Sequence, residues 1–137
     1  MEHHLTTYIT HDTLISALGF GTQENLEAIR SYHSGITLQT DKRIADTPLL
    51  AATLSQERLQ QQAEAIGVSD YPRMEQLFIL TINELIRQSG QTLEDKTCGL
   101  ILSTTKGNID LLARHTEHPD EAVFLWKMAE NIAGYFH

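Results

Sequence analysis

The chain has 137 residues and a mass of 15.4 kDa, is 41% hydrophobic and 20% charged, and carries a net charge of −8 at pH 7. That length suits one domain able to bury a core without disulfides or metals, and the composition excludes a disordered or collagen-like chain. The acidity argues against phosphate-backbone binding, so no nucleic-acid partner is expected, and no apolar run is long enough for a membrane span.

In chain order, Leu5-Thr6-Thr7-Tyr8-Ile9-Thr10 has the Thr, Tyr and Ile content of a strand. Ser16-Ala17-Leu18-Gly19-Phe20-Gly21 reads as a small-residue turn. Thr22 is placed to cap a helix over 23–33, with Leu26 and Ile29 inward. Ser34-Gly35-Ile36 stops it, because Gly35 can take positive φ. Thr37 to Thr40 suits a short strand, and Pro48 to Leu54 reads as irregular. Ser55 caps a polar helix from Gln56 to Ile66 whose Gln-rich face is solvated.

The strongest pattern predicts a helix from Pro72 to Ser89, capped by Asp70 and ended by Gly90. Met74, Leu77, Phe78, Ile82, Leu85 and Ile86 recur at helical spacing, and Ile79 and Leu80 broaden the stripe. So wide an apolar surface calls for cover on more than one side, by a sheet and by another element. Cys98 to Ser103 reads as a buried strand of a parallel sheet. A last helix is expected near Pro119, with Asp120 and Glu121 suiting its first turn. Its apolar face comprises Ala122, Leu125, Trp126, Ala129, Ile132, Ala133 and Phe136. The order implies an α/β fold with a mixed or parallel sheet covered by helices.

The charge is spread along the chain, with no acidic tail and no basic stripe. Cys98 is the only cysteine, so no internal disulfide can form, and a reducing, cytoplasmic setting is the expectation. Met1-Glu2-His3-His4 lacks the blocks of a signal peptide.

Few residues suggest chemistry. Cys98 opens a strand rather than a helix and reads as an inert thiol. His115 and His118 are three apart but lack a third ligand, so no metal is expected. Glu75 and Glu84 are out of phase on their helix and form no acid–base pair, while Arg73 reads as a surface ion-pair partner of Asp70 or Glu75. The loop Ser103, Thr104, Thr105, Lys106, Gly107 and Asn108 lies where open α/β sheets bind ligands. It departs from a Walker motif, since Lys106 precedes Gly107 and no earlier glycine is present. It reads either as a plain turn before a helix or as a backbone-donor loop lining a pocket.

Several ordered pieces together resemble the N-terminal part of a β-ketoacyl synthase, a condensing enzyme of the thiolase-like fold. They are Tyr8-Ile9-Thr10 with Ser16-Ala17-Leu18-Gly19, Thr22 to Ile29 with Ser34-Gly35-Ile36, and Arg73 with the helix ending at Gly90. Gly99-Leu100-Ile101-Leu102-Ser103-Thr104-Thr105-Lys106-Gly107-Asn108 and Met128-Ala129-Glu130-Asn131-Ile132-Ala133 complete the set. The resemblance spans nearly the whole chain, and 37–68 carries least of it. The family has glycine where this chain has His11.

The resemblance implies acyl transfer and condensation in fatty-acid or polyketide elongation, with acyl carrier protein as a partner of the complete enzyme. It implies that the nucleophilic cysteine, its oxyanion donors and two catalytic histidines fall after His137. Cys98 and the seven histidines match none of them, so no catalytic residue, cofactor or metal is assigned to this chain. The expectation is a single truncated domain over 1–137, inactive alone, that self-associates or pairs with the remaining ketosynthase portion. The alternatives are a non-catalytic partner of a full ketosynthase, or an unrelated small α/β binding protein.

Overall fold

A computed structural model describes residues 6–91, 93, 97–114 and 120–137. They form a small mixed α/β domain with four α-helices and two antiparallel two-stranded sheets. Strands β1 (Ile15–Ser16) and β2 (Gly19–Phe20) make a minimal hairpin, followed by α1 (Thr22–Arg30). A second hairpin pairs β3 (Ile36–Gln39) with β4 (Leu49–Ala52) in the register Ile36↔Ala52, Leu38↔Leu50. Helices α2 (Gln56–Ala65), α3 (Arg73–Ser89) and α4 (Leu125–Tyr135) carry the core. Short 3-10 turns lie at Ile109–Arg114 and Glu121–Val123. No helix among the described residues is long and apolar enough to cross a membrane.

The start of the chain is ordered by a polar side chain. Asn25, buried in α1, donates from Nδ2 to the carbonyls of Leu14 (3.1 Å), Gly19 (3.0 Å) and Gly21 (2.8 Å). Its Oδ1 accepts from Ser16 Oγ. This closes the β1–β2 hairpin onto α1 and corrects three expectations. Leu26 and Ile29 are exposed, because Asn25 faces the hairpin instead. The cap position is Gly21, at φ 117°, and Thr22 Oγ1 instead donates to Asp12 Oδ2 at 2.6 Å. The helix ends at Arg30, where Tyr32 rather than Gly35 takes positive φ (58°). Gly35 serves by close approach: a Cβ there would lie 2.9 Å from Ala17 Cβ.

The strands differ from expectation in a consistent way. Pro48 to Leu54 contains β4 rather than irregular chain. Residues 6–10 of the expected first strand form no strand and are exposed, and Leu5 lies outside the described residues. Cys98 to Ser103 also forms no strand, and Ile101 is 93% exposed. A strand needs a ladder partner, and neither apolar segment has one among the described residues. The sheets present are therefore antiparallel hairpins rather than a parallel layer.

The helices follow their sequence signals more closely. Ser55 Oγ accepts from the Arg58 amide at 3.2 Å and caps α2, whose glutamines are exposed. Pro72, not Asp70, sits at the cap of α3, and Gln76 secures that end by donating to the carbonyls of Ser69 (3.1 Å) and Tyr71 (2.8 Å). The broad stripe of α3 is covered by α2 and α4 instead of a sheet. The core is Ala63, Val68, Ile79, Ile82, Met128 and Ile132. The final helix begins at Leu125, six residues after Pro119, because Asp120 first caps the 3-10 turn at Ala122 N (2.9 Å). Met128 and Ile132 turn inward, whereas Leu125 and Trp126 are exposed.

Gly90 closes α3 at φ 68°, ψ 11°, a left-handed conformation that costs an L-residue with a Cβ about 1 kcal/mol or more. Gly90→Ala is expected to lower stability by about 1 kcal/mol, and Gly90→Asn by less, in urea unfolding followed by far-ultraviolet circular dichroism.

Candidate functional site

Glu75 falls on the same helical face as Ile79 and Ile82, and its side chain is fully buried. A carboxylate there must find donors or take up a proton. Two asparagines provide the donors. Asn108 Nδ2 donates to Glu75 Oε1 at 2.7 Å, and Asn131 Nδ2 donates to both Glu75 oxygens at 3.3 Å. Asn108 Nδ2 also reaches the Ala122 carbonyl at 2.8 Å. One carboxyl thus gathers α3, α4 and the segment following Ser103.

Desolvation pushes the Glu75 carboxyl above its ordinary range, opposed by the two asparagine hydrogen bonds. Asp120 raises it further and Lys127 lowers it. Asn108 Oδ1 is buried with no hydrogen-bond partner among the described residues. The cluster therefore lacks a donor, and protonation of Glu75 would add one.

The loop Ser103–Asn108 divides in two. Ser103, Thr105 and Lys106 are exposed, Thr104 is half-buried, and Gly107 and Asn108 are buried. Thr104 Oγ1 accepts from the amides of Lys106 (3.2 Å) and Gly107 (3.1 Å), so these backbone donors are turned into the loop. Gly107 takes φ 56°, and a Cβ there would meet Leu125 Cδ2 at 2.7 Å. This tight turn delivers Asn108 to Glu75. On its outer side, Ser103 and Thr104 join Leu100, Leu102, Leu125 and Met128 along a groove of about 560 Å³.

The remaining candidates lie apart. Cys98 is exposed. Glu84 accepts from Arg87 and Gln88, and the Arg87 hydrogen bond leads in holding its carboxyl down at about 2. Arg73 forms no ion pair with Asp70 or Glu75; with the Gln56 amide oxygen turned toward it, both Nη groups donate there at 2.7 Å. Burial of Glu75 is the reason, since its oxygens are already engaged by asparagines. His115 and His118 lie outside the described residues. No group of three or more His, Cys, Asp or Glu side chains able to hold a metal occurs among the described residues.

The Glu75–Asn108–Asn131 cluster was missed by sequence reasoning, although one signal was available. Glu75, Ile79 and Ile82 share the four-and-three spacing of a buried stripe. Chemically, the cluster can hold a proton and fix the loop, while an open cleft of about 490 Å³ bordered by Tyr71, Glu130 and Asn131 lies beside it. No nucleophile among the described residues is hydrogen-bonded to it. Comparison with family models, with curated proteins and with solved structures finds no match.

Because the folded state raises the Glu75 pKa, its contribution favours folding most below pH 4.5 and is lost as pH rises through the folded value. Glu75→Gln is neutral at all pH values and brings an amide donor to the cluster. It is expected to stabilise the protein by about 1 kcal/mol at pH 7 and to narrow that gain below pH 4.5, measured by urea unfolding at both values.

Proposed function

We propose that this chain is a β-ketoacyl synthase-like N-terminal region of the thiolase-like fold, without condensing activity alone. The observation that carries the reading is the ordered set of segments from Tyr8-Ile9-Thr10 to Met128–Ala133. The exposure of Tyr8, Ile9, Leu100 and Ile101 supports it, since a larger sheet would cover such segments. In the complete enzyme, Ser103 to Asn108 would line the rear of the acyl pocket or a subunit interface. Its substrates would be acyl and malonyl thioesters of a carrier protein, in a reducing cytoplasm.

Decarboxylative condensation needs an acylated thiolate, donors for the developing oxyanion and groups that manage malonyl decarboxylation. Among the described residues, Cys98 is exposed on a segment that opens no helix, and Glu75 is engaged by two asparagines. The reading therefore assigns the chemistry to a further ketosynthase portion, and assigns this region a scaffolding role.

The purified chain is expected to leave acyl and malonyl carrier-protein thioesters unconverted. Co-expression with a polypeptide bearing a condensing enzyme's cysteine turn and paired histidines is expected to give a complex in which amides 99–103 become protected from hydrogen exchange. Turnover by the chain alone, or amides 99–103 that stay unprotected in such mixtures, would contradict the reading.

A further inference from the structure

The β3–β4 hairpin wears its sequence pattern inside out. Alternation places Ile36 and Leu38 on one face of β3, opposite Ala52 and Leu50 of β4. A half-buried hairpin hides such a face. Here Ile36 is 57%, Leu38 63% and Leu50 71% exposed, whereas on the other face Gln39, Leu49 and Ala51 are half-buried and Thr37 is exposed. The hairpin is seated at its base, where Gly35 packs against Ala17 and Leu18. Its outer edges pair with no further strand among the described residues. Two strands alone are marginal in water, so an uncovered apolar ladder calls for an occupant.

We infer that the Ile36–Leu38–Leu50 face is a self-association surface and that its occupant is a second copy of this chain, packed face to face about a two-fold axis. Two observations favour a copy of the chain. First, residues 36–52 have no net charge, because Asp41 and Asp46 balance Lys42 and Arg43. The full −8 resides elsewhere, so two acidic chains can meet here without opposing like charges. Second, the Leu38↔Leu50 pair forms a face that can meet its own image, as an isologous contact requires. In the loop joining the strands, Lys42 and Asp46 form no ion pair within the chain among the described residues, which leaves one charge of each sign for a partner loop.

This surface stands apart from Ser103–Asn108 and does not depend on the ketosynthase reading, because it is argued from the register and exposure of β3 and β4 alone. The test is sedimentation and light scattering of the purified chain from low to high micromolar concentration, with no substrate or complementing polypeptide. The expected result is a concentration-dependent dimer. Leu38→Lys is expected to weaken it by roughly 30-fold or more. Thr37→Lys, on the opposite face of the same strand, is expected to leave it unchanged. Helical circular dichroism reports folding of each variant, and if Leu38→Lys loses it, Leu50→Thr is read by the same criterion. A wild-type chain that stays monomeric, or a dimer equally tight in the folded face variant, would overturn the proposal. So would a dimer weakened as much by Thr37→Lys.

Discussion

A carboxylate placed on the buried face of a helix constrains the arrangement of everything around it. Glu75 is wholly buried and shares its face of α3 with Ile79 and Ile82. Left without donors, such a group costs several kcal/mol. Asn131 answers from α4, and Asn108 answers from a loop 33 residues away in sequence. Helix docking and loop conformation are thereby tied to one requirement. The loop meets it through a left-handed turn at Gly107, a conformation that glycine adopts without the cost a Cβ brings. The Asn108 amide then spans α3 and the Ala122 carbonyl, fixing the 3-10 turn that leads into α4.

Around this clamp the molecule is unevenly finished. The α2–α3–α4 core is closed, with Tyr135 donating to the Ile66 carbonyl at 3.2 Å and standing edge-on to Tyr71 at 6.1 Å. Outside it, apolar residues on 6–10, on the β3–β4 hairpin and on 98–104 face solvent. Arg58 of α2 ties that core to the first hairpin and α1, paired with Glu24 at 2.8 Å and lying over the Phe20 ring at 4.9 Å. The packed core thus stands beside apolar surface that the described elements leave uncovered.

Local signals were legible where the chain decides for itself. Ser55 capping α2, Gly90 ending α3 and the helical periodicity from Met74 to Ile86 all depend on neighbours within a few residues. Strands were less legible, because pairing depends on distant partners. Tyr8-Ile9 and Leu100-Ile101 have strand composition yet no ladder, while Leu49–Ala52 forms one because β3 lies opposite. Polar side chains that replace expected apolar contacts were the least legible. Asn25 takes the inward position expected of Leu26 and Ile29, and Asn108 turns a loop read for its backbone donors into a buried side-chain clamp. Nothing in a one-dimensional pattern distinguishes those asparagines from surface ones.

The claim that one carboxyl–amide contact couples α3 to the loop is tested most directly by a double-mutant cycle. Stabilities of the parent, Glu75→Ala, Asn108→Ala and the double variant would be measured by urea unfolding at neutral pH. The account predicts a coupling energy on the order of 1–3 kcal/mol, because each single change removes the 2.7 Å hydrogen bond made by the other buried group. Losses that add within about 0.5 kcal/mol would contradict it.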